Sequence, residues 1–228
     1  MILDPPSPSL TRLRKGAASQ NDDNMENDFK YKDIHWEKAD PKEIIFPLIS
    51  PGSKVLDLGC WAGRLGEKLI KEKNCEVYGV DINKKAIELA KKRLSKAFLI
   101  DLNKEKELPK LFNNEKFDYI VLVEVLEHLI NPEKLLIKVK KLLKNDGKIL
   151  ISVPNIANWE IRLKLLFGSF DYEEQGILDE THLRFFTRKS IQHLLISLGF
   201  NIEQEYYTRA IILPGLFATQ FIYVCTFK

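Results

Sequence analysis

One stretch constrains this chain more than any other: Val55-Leu56-Asp57-Leu58-Gly59-Cys60-Trp61-Ala62-Gly63-Arg64-Leu65-Gly66, followed by Val77-Tyr78-Gly79-Val80-Asp81. An apolar run stops at glycines, an amphipathic segment follows, and a second apolar run ends on an acid. The pattern reads as strand, turn, helix and strand, which is half of a nucleotide-binding α/β sheet.

Asp57 helps to decide what such a turn holds. A pyrophosphate would sit at the helix N-terminus, where backbone N–H groups favour negative charge, and a carboxylate two residues before the first glycine opposes it. S-adenosylmethionine brings a sulfonium and an ammonium instead, and Asp57 attracts both. Asp81 fits either ligand, because it can accept from both ribose hydroxyls of an adenosine. The turn reads Gly-x-x-x-Gly-x-x-Gly, without the Gly-x-Gly-x-x-Gly spacing of dinucleotide enzymes. A short-chain dehydrogenase would also need a Tyr-x-x-x-Lys pair, and none of the seven tyrosines has a lysine four residues on.

These residues resemble the class I methyltransferases that use S-adenosylmethionine, whose first motif is acid-x-Gly-x-Gly-x-Gly. The resemblance implies a Rossmann-like α/β sandwich with helices on both faces of a seven-stranded, mostly parallel sheet in the order 3-2-1-4-5-7-6, strand seven antiparallel. It places the cofactor on Asp57, Gly59, Cys60, Gly63, Asp81, Ile82, Asp101, Leu102 and Glu124. Trp61 departs from the pattern, standing where the family has glycine or another small residue. The resemblance therefore requires that only its backbone face the ligand.

With 228 residues, 45% hydrophobic and 29% charged, the chain can bury one sizeable core. A net charge of +3 is too small to argue for nucleic acid, and no interleaved basic and aromatic residues offer a stacking platform. The three cysteines match no metal or disulfide framework, and no signal segment opens the chain, so a cytoplasmic setting is expected. The sequence leaves monomer and homodimer open.

Met1 to Asp28, rich in proline, serine and asparagine, reads as a disordered or loosely ordered segment. Residues 29–228 then form a single domain. Phe29, Tyr31 and Trp36 either fold over the cofactor or anchor on the core. Asp40-Pro41-Lys42-Glu43 starts a helix that stops at Pro51-Gly52. Lys54–Leu58, Ala97–Ile100, Phe117–Val123 and Lys148–Val153 read as strands. The helix after Asn131-Pro132 turns Leu135, Leu136, Val139, Leu142 and Leu143 inward. Alternation fails over 156–186, a lid or substrate wall above the sheet's ligand-binding edge. In it, Ile156 to Phe170 reads as an amphipathic helix whose Trp159, Leu163, Leu166 and Phe167 cover the core, receive an apolar substrate or touch a membrane, in that order of preference. Thr187 caps a further helix closed by Gly199, and strands over Phe200–Tyr207 and about Ala218–Phe227 finish the sheet.

The chemistry concentrates after the fourth strand, in Glu124-Val125-Leu126-Glu127-His128-Leu129, and in Thr181-His182-Leu183-Arg184-Phe185-Phe186-Thr187. His128 and His182 are the candidate bases. Both segments resemble those of quinone-biosynthesis O-methyltransferases, and the first also resembles the methionine-biosynthesis W-type proteins. In the quinone enzymes the matching Glu124, Glu127 and His128 are associated with a divalent metal, but the spacing by itself assigns none. His182 reads equally as a residue that holds the lid by a hydrogen bond. For Asp101 a turn-capping role competes with contact to the adenine amino group.

The expected function is methyl transfer to a hydroxyl of a small molecule, sugar or lipid-linked intermediate. The alternative is a catalytically weak methyltransferase-like protein that binds the cofactor and acts through a protein partner.

Overall fold

The computed structural model describes residues 40–104, 108–112, 115–210 and 212–227. The expectations for Met1 to Asp28, and for Phe29, Tyr31 and Trp36, lie outside the described residues.

The first helix, α1 (Pro41–Leu48), begins where Asp40 accepts the Lys42 N–H at 2.8 Å. Strand β1 (Lys54–Leu58) feeds the glycine turn and α2 (Arg64–Lys73). Then come β2 (Glu76–Asp81), α3 (Lys84–Arg93), β3 (Lys96–Leu99) and the short α4 (Leu108–Leu111). Asn83 caps α3 through Ala86 N–H at 3.0 Å. The second half runs β4 (Phe117–Val123), α5 (Pro132–Lys140), β5 (Leu143–Pro154), α6 (Trp159–Leu166), α7 (Arg188–Ser197), β6 (Asn201–Tyr207), α8 (Pro214–Phe217) and β7 (Gln220–Thr226).

The seven strands form one sheet in the order β3-β2-β1-β4-β5-β7-β6. The first five pair in parallel, and β7 lies antiparallel between β5 and β6. In β1 and β4 the residues from Val55 to Leu58 and from Ile120 to Val123 are all buried, as central strands covered on both faces require. One core cluster gathers on each face of the sheet: Leu56, Leu58, Ile120 and Leu122 belong to one, Val55, Val121 and Val123 to the other. Alternation of side chains along a strand produces this division.

Apart from shifts of one or two residues at strand ends, two boundaries differ from expectation. Helix α5 ends at Lys140, and Leu143 belongs to β5, paired with Phe117. From there to the next pair, Tyr119 with Lys148, β4 advances by two residues and β5 by five, so Lys144 to Gly147 loops out. Leu142 and Leu143 are buried as expected, but through the strand connection rather than a helix face.

The other concerns α6, which is shorter than Ile156 to Phe170. Trp159, Leu163, Leu166 and Phe167 are 43%, 45%, 78% and 80% exposed, and only Ile161 of the helix is buried. The preferred reading of this face as core cover is therefore wrong. The insertion is held at its ends instead: Asn155 bridges Phe186, and the buried Asn155 and Asn158 amides both donate to Ala218 O, at 2.9 and 3.0 Å. No helix among the described residues is long and apolar enough to cross a membrane.

Candidate active site

The glycine turn places bare backbone at the C-terminal ends of β1 and β2. Gly59 N–H and Cys60 N–H both donate to Val80 O, at 2.7 and 3.0 Å. Gly59 has φ +78°, which costs glycine little, and a Cβ there would lie 2.5 Å from Val125 Cγ2. The first motif is thereby packed directly against the segment that follows β4. Gly63, with φ +76°, caps α2.

Trp61 is also left-handed, with φ +48°. That conformation is the physical reason a glycine suits the position. Trp61 N–H donates to Asp81 Oδ2 at 2.8 Å, so its backbone is tied to the acid at the end of β2. Asp81 Oδ1 accepts Asn83 N–H, also at 2.8 Å. Each carboxylate oxygen thus keeps a lone pair for a further donor. Ile82, next along, is 65% exposed.

Asp57 is 5% exposed, and among the described residues no donor bonds its carboxylate. Burial pushes its pKa up to about 7, with Lys42 drawing it down and Asp81 adding to the rise. Cys60 is buried, and its sulfur would lie 2.6 Å from a Cβ on Gly79. Burial drives its thiol far up, so it is a neutral packing group. Asp101 Oδ1 accepts Asn103 N–H at 2.9 Å and Oδ2 lies 3.8 Å from Lys104 Nζ, the turn arrangement that competes with an adenine contact. Leu102 is buried beside it.

At the end of β4, Glu124 adopts φ +55°. Its N–H donates to Ser152 Oγ at 3.1 Å, and its Oε1 accepts from Gln220 Nε2 at 2.6 Å. A non-glycine residue held left-handed beside a ligand edge marks strain that the surrounding bonds sustain. A 3₁₀ turn over Leu126–His128 follows, and the insertion docks on it: Leu183 N–H and Arg184 N–H both donate to Glu127 O, at 2.8 and 3.0 Å.

This docking brings the two histidine segments together. The His128 and His182 rings lie 4.8 Å apart between centroids, at 64°. Thr181 Oγ1 donates to Asp179 Oδ1 at 2.6 Å, which leaves its lone pairs to accept from His128 Nδ1 at 3.1 Å. His182 Nδ1 lies 3.1 Å from Ile177 O, so it too carries its proton on Nδ1. Both Nε2 atoms are thereby left as lone-pair donors. Burial lowers the His182 pKa, helped by His128 and opposed by the Ile177 carbonyl and Asp179.

Glu127 completes the group. It is fully buried, and among the described residues neither carboxylate oxygen has a hydrogen-bond partner. Burial raises its pKa well above the ordinary carboxylate value, with Glu124 and Asp179 adding to the effect and its own backbone opposing it. One ligand atom from each of Glu127, His128 and His182 lies within 4.8 Å of the other two. Glu127 is the residue that sequence reasoning undervalued: its place beside His128 was visible, but its burial without a partner was not. Thr181 and Asp179, which set the His128 tautomer, were also missed.

The sheet order, the antiparallel β7 and the glycine turn between two strand-ending acids define the class I methyltransferase architecture. The chain belongs to the methyltransferase domain family, whose family model matches residues 34–205. An uncharacterized protein of Methanocaldococcus jannaschii is 30% identical over 150 residues, covering 66% of this chain and 65% of that protein. The ubiquinone biosynthesis O-methyltransferase of Pasteurella multocida is 32% identical over 144 residues, covering 54% of this chain and 59% of the enzyme. The chain thus spans less than two thirds of the length of these curated relatives. Among solved structures, an S-adenosylmethionine-dependent methyltransferase from Archaeoglobus fulgidus aligns with a TM-score of 0.60 at 19% identity, over 82% of this chain and 94% of its own. A TehB-like methyltransferase from Corynebacterium glutamicum aligns at 0.58 and 20%, over 82% and 86%. These two likenesses concern the fold.

Proposed function

We propose that this chain transfers the methyl group of S-adenosylmethionine to a hydroxyl of a small molecule, sugar or lipid-linked intermediate. The observation that carries the reading is one sheet edge holding both a bare glycine turn flanked by Asp57 and Asp81 and, packed against it through Val125, the segment bearing His128.

The residues fit the cofactor. Asp57, buried and without a hydrogen-bond donor among the described residues, is suited to a positive group. Asp81 retains acceptor capacity for both ribose hydroxyls, and Ile82 gives the adenine an apolar surface beside it. Glu124 lies toward the methionine end, while Gly59, Cys60, Gly63 and Leu102 contribute backbone or packing. Bound there, the cofactor supplies an electrophilic methyl group on a positively charged sulfur.

The chain's own work is to align an acceptor oxygen with that methyl group and to take up the proton the oxygen loses. Alignment of two reactants is worth on the order of 7 to 11 kcal/mol. A positioned histidine adds roughly 10² to 10⁴ in rate, and the free Nε2 of His128 or of His182 suits that role. The exposed apolar residues of α6, on the insertion that also carries His182, support an acceptor with an apolar portion. The ubiquinone relatives act on an acceptor through oxygen, as their name states, which agrees with a hydroxyl nucleophile.

Parallel calorimetric titrations with S-adenosylmethionine, its demethylated product and NAD test the cofactor assignment. The first two bind and NAD does not; the reverse result removes the reading. Asp81→Ala weakens S-adenosylmethionine by at least about tenfold through lost hydrogen bonds, and an unchanged affinity removes Asp81 from the site. His128→Ala leaves cofactor affinity within about twofold and lowers turnover by about a hundredfold or more.

A further inference from the structure

We infer that Asp179 and Thr181, both on the insertion, are positioning residues for a base at His128, and that His182 is not the base. The inference deepens the methyl-transfer reading and rests on it, but the hold on the His128 ring is measurable on the protein alone.

The link has a fixed direction. Asp179 is buried, and its Oδ1 accepts from both the N–H and the hydroxyl of Thr181, at 2.8 and 2.6 Å. The Thr181 hydroxyl proton is committed there, so its oxygen meets His128 Nδ1 as an acceptor, at 3.1 Å. The Thr181 carbonyl lies 3.3 Å from the same nitrogen and can only accept. Both contacts require the proton on Nδ1 and leave the lone pair on Nε2. A histidine tied in this way toward a buried carboxylate keeps one tautomer, and its charged form is stabilised once it takes up a proton. In this chain a hydroxyl stands between the ring and the acid.

The surroundings of His182 differ. Its Nδ1 faces the neutral Ile177 carbonyl, and burial disfavours its charged form, with His128 adding to that effect and the Ile177 carbonyl and Asp179 opposing it. Two charged imidazoles with centroids 4.8 Å apart repel, so one of the pair takes the proton. His128, with Asp179 behind the Thr181 hydroxyl, is the better placed. Of the other acids here, Glu127 is kept neutral by burial and Glu124 is bonded to Gln220. During transfer the acceptor oxygen bonds the methyl carbon, the carbon–sulfur electron pair returns to sulfur, and the hydroxyl proton passes to His128 Nε2. Nδ1 keeps its own proton throughout, so Asp179 is not protonated. His128 lies on the turn after β4 and its positioning residues on the insertion, so the base is complete only when the insertion docks on the Glu127 carbonyl.

The test reads the ring nitrogens of the ¹⁵N-labelled full chain by long-range proton–nitrogen correlation at about pH 8.5, where imidazoles are neutral, with His128→Gln assigning the signals. The wild type shows His128 with its proton on Nδ1. Asp179→Ala frees Thr181 and moves that proton toward Nε2, whereas Asp179→Asn, whose amide oxygen keeps the Thr181 bonds, does not. With catechol as the probe acceptor, Asp179→Asn and Thr181→Val each lower kcat by at least about tenfold and change the catechol KM by no more than about threefold. Thr181→Ser returns kcat to within about threefold of the wild type, a rescue that a merely structural role does not require. A wild-type proton on Nε2, or an unaltered tautomer in Asp179→Ala, overturns the inference, and undiminished kcat in Thr181→Val returns the role to His182. If Asp179→Ala fails to fold, Asp179→Asn and the two Thr181 variants decide. Failure to methylate catechol counts against the methyl-transfer reading alone, and the tautomer comparison, made without cofactor, then decides the hold on His128.

Discussion

Asp57 illustrates how much a single buried acid controls. Its ordinary pKa of 3.8 rises to about 7 on folding, so between those values the folded chain holds a proton that the unfolded chain has released. Stability contributed by this group is therefore greatest below about pH 4 and falls as pH rises toward 7, by at most about 1.4 kcal/mol per pH unit. Asp57→Asn removes that dependence, and urea midpoints should show the variant gaining on the wild type from pH 5 to pH 8. Parallel curves would contradict the burial of this carboxyl. Glu124 sets a different balance. Its left-handed backbone costs about 1 to 2 kcal/mol that glycine avoids. Glu124→Gly is thus expected to raise Tm slightly, even with the Gln220 bond lost, while weakening S-adenosylmethionine. A gain in stability without a loss of affinity would remove Glu124 from the cofactor site.

Among the elements, α3 does more than cover the sheet. Leu94, just past its end, fills the space above Gly63, Gly66 and Gly79, and would lie within 3 Å of a Cβ at any of them. The glycines and Leu94 form one packed unit that holds the turn between β1 and β2 in shape. Leu94→Ala leaves a cavity there and is expected to cost about 2 to 5 kcal/mol in denaturant unfolding. Helix α7 depends on its start: Thr187 and Ser190 exchange side-chain and backbone bonds in a capping box. Thr187→Ala should cost about 1 kcal/mol, and an unchanged melting temperature would show that packing of Ile191 and Leu195 alone holds the helix.

For the whole molecule, the insertion is the part in which covering the core and presenting a face diverge. Its two ends are bonded to each other and the first of them also to Ala218, yet α6 presents Leu166 and Phe167 to solvent. Phe167→Ser is accordingly expected to change stability by no more than about 0.5 kcal/mol. A larger loss would mean that this face packs against protein. Much of the framework was legible in the amino-acid sequence, because its signals are local. Apolar runs ending at Asp57 and Asp81, the caps at Asp40, Asn83 and Thr187, and the closure at Gly199 each depend on residues within a turn of one another. The sheet order came through resemblance, since no local pattern specifies which strands become neighbours. The end of α5 was misplaced because Leu142 and Leu143 suit a helix face and a buried strand equally well. The exposure of α6 and the grouping of Glu127 with His128 and His182 were decided only in three dimensions. Periodicity shows which residues share a face but not whether another surface arrives to cover it, and side chains from distant segments meet only when the insertion docks on the Glu127 carbonyl.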